Sequence, residues 1–322
     1  MSTPFRTVAV DLGGTSTKLA LVEDGVVREF RQVPAQPSRG LLDCLDSLAT
    51  LVDERWGTVG QVSGWGISFP GIVDPFRKKV LATAGKYPDA TEADLAAWAQ
   101  RLGLPFVVEN DANAALAGEV SGGCARGETD VVLCILGTGI GTAVRMGGKV
   151  LRGAHFQAGV LGGHFKTGAN GSRCSCGGLG CWEARASTWA LPALAGDLGQ
   201  TSGFPLPPAP WTGFQALFDD HRRGDPLARS LVRALEDEWA RGMATLVHAY
   251  DPSTVILTGG VLGGRDCFFD SLVDKIRRSV WTPWGTPEIR VPDDPRASVL
   301  LGLNSLLKEA LGWELPRTAA AR

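Results

Sequence analysis

The sequence predicts an α/β protein of two similar domains facing a cleft. Two stretches carry this reading. "TVAVDLGGTSTKLALVEDGVVREFRQV" (7–33) and "DVVLCILGTGIGTAVRMGGKVL" (130–151) share one plan: strand, glycine turn, strand, turn, strand. Each is followed by further strands and helices, and 322 residues are enough for two hydrophobic cores.

The elements follow in order. Glu23-Asp24-Gly25, between two β-branched runs, is a hairpin signal. Leu42, Leu45, Leu48, Leu51 and Val52 have helical spacing over 39–55. "VSGWGISF" (62–69) is a strand that ends at Pro70-Gly71. "TEADLAAWAQRL" (91–102) is a helix opened by a Thr-x-x-Asp cap pattern starting at Thr91. "PFVVEN" is a short strand that delivers the helix "DANAALAGEV". In the second half, Asp225-Pro226 starts a long helix through Leu227, Leu231, Leu235, Trp239, Met243 and Leu246, with Asp-Pro just past its end. "STVILTGG" is a strand that stops in glycines, and "ASVLLGLNSLLKEAL" is a last helix. "FPLPPAP" (204–210) is a surface loop.

Composition narrows the partners. Charged residues are 20% and apolar residues 44%, as in globular chains. A net charge of -2 gives no reason to expect nucleic acid or an anionic membrane. No apolar run reaches the ~18 residues of a membrane span, and the first residues lack a signal-peptide pattern. A cytoplasmic protein is expected. Seven cysteines, an odd number, argue against a disulfide framework in a reducing compartment. Cys44, Cys124, Cys134 and Cys267 are scattered among apolar neighbours and read as small buried hydrophobes.

The glycine turns point to phosphate. "DLGGTSTK" (11–18) joins two strands; Gly13 and Gly14 let backbone N–H groups approach an anion, and Thr15 adds a hydroxyl. Asp11 at the strand end could hold a metal-bound water. "LGTGIGT" (136–142), with Thr138 and Gly139, does the same in the second half. A dinucleotide loop would open a helix, whereas "TAVRMGGKVL" is extended, and the Gly-Lys-Ser/Thr of a Walker A loop is missing. With a third glycine pair at Gly259-Gly260, the pattern is that of the actin-like nucleotide-binding architecture.

Asn110 and Asp111 stand where a strand meets a helix. One of them would suffice to cap the helix, so the other is available for chemistry at a strand end. Phosphoryl transfer to a hydroxyl needs aligned oxygens, charge stabilisation and a proton acceptor, and a carboxylate serves as that acceptor. Asp111 is the candidate. Farther on, Cys174-x-Cys176-x4-Cys181, with His164 ten residues before Cys174, makes a Cys3His set of the kind that binds structural zinc. Such a metal would stabilise a loop too short and glycine-rich to hold its shape alone and would fix Glu183. The other ring nitrogen of His164 could hydrogen-bond a substrate hydroxyl.

Taken together, "DLGGTSTK", "ENDANAA", "LGTGIG", "CSCGGLGCWEA" behind His164, and "LTGG" resemble the ROK family of sugar kinases and related repressors, over about residues 7 to 311. The resemblance implies two actin-like (ribonuclease H-like) ATPase domains, with ATP, Mg2+ and a sugar in the cleft. It implies a hexose or N-acetylhexosamine kinase with Asp111 as general base on the sugar hydroxyl and Asn110, His164 and Glu183 as sugar contacts. His164, Cys174, Cys176 and Cys181 match the family's structural zinc ligands, and a homodimer or homotetramer is implied. The division expected is residues 1–110, with the helix 297–312 packing back on them, and 111–296 carrying the zinc loop. Repressor members carry a DNA-binding domain before the first phosphate turn; with that turn beginning at Asp11, no DNA-binding role is expected.

One departure matters. The family pattern Ala-Gly-Glu-x-Gly-His, whose glutamate grips sugar hydroxyls, here reads "QAGVLGGHF". Counted back from His164 the glutamate position holds Leu161; counted forward from Ala158-Gly159 it holds Val160. Losing a charge-assisted contact there is worth about 1.5–3 kcal/mol. The departure puts glucose-like specificity in doubt and keeps a second reading open, a non-catalytic sugar- or nucleotide-binding protein on the same scaffold.

Overall fold

A computed structural model describes residues 4–56, 61–83, 85–168, 171–207, 209 and 211–313. The chain divides into two compact units, Met1–Gly127 with Arg296–Arg322, and Glu128–Pro295.

The first unit opens with β1 (Arg6–Leu12), β2 (Ser16–Glu23) and β3 (Val26–Pro34), then α1 (Leu41–Trp56) and β4 (Gly64–Phe69). A hairpin of β5 (Gly71–Asp74) and β6 (Lys79–Thr83) leads to α2 (Leu95–Leu102), β7 (Phe106–Asn110) and α3 (Asp111–Ser121). The main sheet has the order β3-β2-β1-β4-β7. β1 runs antiparallel to β2 and parallel to β4, which is parallel to β7. β1 alternates as a strand covered on both faces must: Val8, Val10 and Leu12 join Leu45, Leu48, Trp65 and Trp98 in one core cluster, while Ala9 joins Ala114 and Leu303 in another.

The second unit repeats the plan. β8 (Val131–Leu136), β9 (Ile140–Met146) and β10 (Lys149–Val150) form the meander. The helices α4 (Glu183–Ala186), α5 (Leu191–Ser202), α6 (Phe214–Arg223) and α7 (Pro226–Tyr250) follow, then β11 (Thr254–Thr258), α8 (Phe269–Ser279) and β12 (Glu288–Arg290). The sheet order is β10-β9-β8-β11-β12, with β8 antiparallel to β9 and parallel to β11. α7 starts as expected, with the Asp225 carboxylate accepting from the Ala228 N–H at 2.7 Å. Its Leu231, Leu235, Trp239 and Met243 pack with Val132, Cys134 and Leu136 of β8.

The last helix, α9 (Ser298–Ala310), returns to the first unit, where Asn304 donates to the Thr7 hydroxyl at 2.7 Å. It also moves the expected boundary. α3 lies with the first unit, so the division falls after Gly127 and not at 110/111. The cause is close helix packing: a Cβ on Gly118 would run into the Ser298 carbonyl, and one on Gly302 into the Ala114 carbonyl. Small residues let the α3 and α9 backbones approach to this distance.

A second correction concerns the cap of α2. The helix starts at Leu95, and Asp94, not Thr91, caps it by accepting from the Ala97 N–H at 2.9 Å. The N–H groups of Glu92 and Ala93 are taken by the Asp89 carbonyl in a preceding turn, and Asp94, with φ of -85° and ψ of 84°, breaks the helical path between that turn and Leu95. In the loop 204–210, Pro208 and Pro210 lie outside the described residues; Phe204, Pro205 and Leu206 are exposed. All seven cysteines are free, with Cys44 and Cys134 buried and Cys124 and Cys267 half-buried. Among the described residues no helix is long and apolar enough to cross a membrane.

Candidate active site

In the first unit the chemistry gathers at the carboxyl ends of three parallel strands, where α/β sheets bind ligands. Register sets Asp11 of β1 beside Ser68 of β4, and Ser68 beside Glu109 of β7. The Ser68 hydroxyl donates to Asp11 Oδ1 at 2.7 Å, and Lys18, opposite Asp11 on β2, donates to Oδ2 at 2.9 Å.

At the end of β7 the two adjacent polar residues divide the work. Asn110 caps α3: its Oδ1 accepts from the N–H groups of Ala112 and Asn113, at 3.0 and 3.1 Å. Its Nδ2 donates to the Gly71 carbonyl and to Asp111 Oδ1, both at 3.0 Å. Asp111 Oδ1 also accepts from the Ala112 N–H at 2.9 Å. Its carboxylate is thus oriented through one oxygen, while Oδ2 has no protein partner among the described residues. Burial, and next the negative charge of Asp11, push the Asp111 carboxyl up to about 6; the Ala112 N–H and the charge of Lys86 pull the other way. A carboxylate poised near neutrality, with one oxygen open, is suited to general base work.

The first glycine turn closes on itself, with the Gly13 N–H donating to the Ser16 carbonyl at 3.1 Å. The N–H groups of Gly14 and Thr15 take no part in that closure. A Cβ on Gly14 would meet the Lys86 Cε and Nζ, so the end of that side chain lies directly on the turn.

The second turn closes with the Gly137 N–H donating to the Gly139 carbonyl at 3.0 Å, and it is also held from outside. The Gly137 carbonyl accepts from the Thr188 N–H at 2.9 Å, and the Glu183 carboxylate accepts from the Ile140 N–H at 2.8 Å. The Trp189 N–H reaches the Thr138 carbonyl at 3.5 Å. A Cβ on Gly139 would stand 2.5 Å from Glu183 Oε2. Because β11 pairs with β8, Gly259 lies over the end of β8, with φ of +105° and no room for a Cβ beside the Leu136 carbonyl. Gly260 next to it is open. The second turn and the Gly259-Gly260 pair are therefore neighbours.

The cysteine loop comes together as its spacing suggests. Antiparallel bridging of Lys166 with Cys181 brings the loop's two ends side by side, and the Trp182 N–H donates to the Phe165 carbonyl at 2.8 Å. His164 Nδ1 lies 3.6 Å from Cys174 Sγ, and Cys176 Sγ lies 3.6 Å from Cys181 Sγ. All four ligand atoms lie within 4.8 Å of one another. Tetrahedral zinc with Zn–S bonds of about 2.3 Å needs S···S edges of about 3.8 Å, so the donor set fits. Nδ1 of His164 faces the cluster, which leaves Nε2 for another partner.

The ROK family sequence profile matches residues 7–310. The chain belongs to the ROK family. The glucokinase of Thermotoga maritima is 30% identical over 317 residues, 96% of this chain and 99% of that protein. The N-acetylmannosamine kinase of Escherichia fergusonii is 30% identical over 261 residues, 80% of this chain and 84% of that one. Among solved structures, the ROK family glucokinase from Streptomyces griseus in complex with glucose and AMPPNP superposes with a TM-score of 0.78 at 29% identity, covering 94% of this chain and 99% of that one. The two repeated five-stranded sheets are those of the actin-like ATPase fold shared by ROK kinases.

Against the family pattern, the stretch before His164 is apolar. Val160 is buried at 9% exposure, whereas Leu161 is 36% exposed and stands directly before the short 3-10 turn Gly162–His164. Thr142 locks this stretch, donating to the Gly159 carbonyl at 2.6 Å and accepting from the Gly162 N–H at 2.9 Å. His155 and Gln157 are exposed. Lys86, Lys18 and Ser68 escaped the sequence reading. Lys18 could have been found from its position opposite Asp11 in the predicted meander; nothing in the local spacing marks Lys86 or Ser68.

Proposed function

We propose that this ROK chain transfers the γ-phosphoryl group of ATP to a hydroxyl of a hexose or N-acetylhexosamine, with Asp111 as general base. The chain is a carbohydrate kinase, and the observation that carries the mechanism is the orientation of Asp111 by Asn110. The cap residue takes the helix N–H groups and one Asp111 oxygen, so Oδ2 is left to accept the proton. In the step, the sugar oxygen bonds to the γ-phosphorus and the bond to the bridging oxygen breaks. Its electrons leave with ADP, and the hydroxyl proton goes to Asp111 Oδ2.

Gly13, Gly14 and Thr15 in the first unit, and Thr138, Gly139, Gly259 and Gly260 in the second, would receive phosphate or nucleotide through backbone amides and close approach. Magnesium bound with ATP supplies charge neutralisation on the phosphates. Asp11 suits an outer role toward it, through water, because Ser68 and Lys18 already occupy both its oxygens. His164, Cys174, Cys176 and Cys181 would hold zinc, which stabilises the loop that carries Glu183. His164, through Nε2, and Glu183 are the sugar contacts proposed in the second unit. Asn110, with its amide engaged, supports Asp111 and reaches sugar only by exchanging one of those bonds.

Leu161, or Val160 in the other register, offers apolar surface where the family pattern has a carboxylate. A hydroxyl buried there unpaired costs about 1–3 kcal/mol, so glucose is expected to be a weak substrate. A panel of hexoses and N-acetylhexosamines in an ADP-release assay tests both parts. Sugar-dependent ADP release with some member of the panel is expected. Efficient use of glucose, with kcat/KM of about 10⁵ M⁻¹s⁻¹ or more, would overturn the specificity reading. Binding of sugar or nucleotide with no ADP release from any sugar would favour a non-catalytic binding protein.

A further inference from the structure

We propose that Lys86 stabilises the transferring phosphoryl group, its ammonium resting on the Gly14 corner of the first phosphate turn. The assignment deepens the kinase reading and rests on it. Three observations carry it. First, the end of the Lys86 side chain lies on the one face of Gly14 where any other residue would carry its Cβ. The glycine thereby gives a cation access to the turn whose amides would hold phosphate.

Second, the backbone directly after Lys86 is pinned. Tyr87 is fully buried, its ring 5.8 Å from that of Phe69, with φ of +51°. A bulky residue rarely adopts that conformation, and it persists only where surrounding contacts hold it. Two residues later, Asp89 accepts the Leu41 N–H at the start of α1, at 2.9 Å to Oδ2. A buried ring at the next residue and a helix-end bond two residues beyond it fix the chain that follows Lys86, whose ammonium lies over the glycine turn. Third, Lys86 is half-buried and makes no ion pair among the described residues, although its charge acts on the Asp111 carboxylate and holds that carboxyl lower than it would otherwise stand. A placed but unpaired ammonium beside an anion-binding turn is complete only with an anion.

In phosphoryl transfer, charge gathers on the phosphoryl oxygens and on the oxygen that leaves, while the hydroxyl proton passes to Asp111. A fixed cation at Gly14 opposes that charge without donating or accepting a proton itself.

The test is Lys86→Met, which keeps the methylene stem on Gly14 and removes the charge, with Lys86→Gln as a second neutral variant and Lys86→Arg as the conservative one. Met and Gln are expected to lower kcat about 10²-fold, with a much smaller change in KM for ATP. Arg is expected to recover most of kcat. The acid limb of kcat/KM should shift to higher pH in the neutral variants, because the Asp111 carboxylate loses a favourable charge. Melting temperatures within a few degrees of wild type would confirm intact folds. Near-normal kcat in the neutral variants overturns the assignment and leaves the kinase reading standing. An equal loss in Met, Gln and Arg with an unmoved acid limb also overturns it, since that is the signature of packing alone. If wild type releases no ADP with any sugar, the kinase reading falls and takes the assignment with it.

Discussion

The two glycine turns are built on the same meander and closed by their own backbone, but different side chains stand against them. The first is closed by its own backbone, Gly13 to Ser16, and carries a lysine end on Gly14. The second is likewise closed by its own backbone, Gly137 to Gly139, but is also braced by Thr188, Trp189 and the Glu183 carboxylate, and carries an acid against Gly139. Glycines in equivalent turns, Gly14 at the second turn position and Gly139 at the third, therefore stand against opposite charges. The first turn stands beside the proposed proton acceptor, where a cation opposes developing charge. The second is tied to the cysteine loop through Glu183, so its shape depends on a segment more than forty residues away. Topology was duplicated; the side chains against each turn were not.

The largest expected effect is at Asp111. Asp111→Asn is expected to keep the fold and lower turnover about 10²-fold or more. Since burial holds the wild-type carboxyl up at about 6, the base is lost to protonation as pH falls through that value. Wild-type kcat/KM should therefore show an acid limb near 6 that is missing from the residual rate of the Asn variant. Stability follows the same sign. Ionising a carboxyl whose folded value is raised removes stability as pH rises from the ordinary carboxylate range through about 6. Asp111→Asn should thus melt above wild type at pH 8, with the gap closing towards pH 4. Near-normal turnover in the variant would remove Asp111 from the mechanism.

Next comes the tie between the cysteine loop, with its proposed zinc, and the second turn. Cys181→Ser, or chelation of the metal, is expected to release Glu183 and raise KM for the sugar about tenfold or more, the worth of one charged hydrogen bond, while KM for ATP moves less. Metal analysis should give one zinc per wild-type chain and less in the variant. A zinc-free wild-type protein would break the link.

Smaller, and aimed at the contrast itself, are Gly139→Ala and Gly14→Ala. The methyl group at Gly139 would collide with a carboxylate tethered to Ile140, so sugar KM is expected to rise severalfold. At Gly14 it would displace the flexible end of Lys86, so kcat is expected to fall with little loss of stability. Steady-state kinetics on the pair separates the two; the same parameter changing in both variants would mean the turns are not held differently.

The smallest effect is expected at Leu161. Leu161→Glu restores a carboxylate on an exposed position next to Gly162–His164 and should raise glucose kcat/KM a few-fold. No gain with glucose, alongside an unchanged preference across the sugar panel, would show that this position does not face the sugar.

Much of this molecule was legible in its sequence because the signals are local. Period-2 alternation and glycine turns give the two meanders, since neighbouring residues alone decide strand and turn. Asp225 followed by proline starts α7 with its own side-chain cap, and the Cys3His spacing closes into one cluster because few residues separate the ligands. The tertiary structure decided what depends on partners distant in sequence. The first unit extends to Gly127 because Gly118 and Gly302 let α3 and α9 pack closely, a pairing across nearly two hundred residues. α2 begins at Leu95 because the backbone leaves the helical region at Asp94, whose side chain then caps the Ala97 N–H. Asn110 and Asp111 looked interchangeable as caps; only their geometry shows that Asn110 takes the helix N–H groups and leaves an Asp111 oxygen open. Lys86 carries no local pattern at all. It reaches Gly14 because a buried tyrosine and a distant helix end fix the backbone beside it, and contacts of that kind are made by the folded core, not by spacing along the chain.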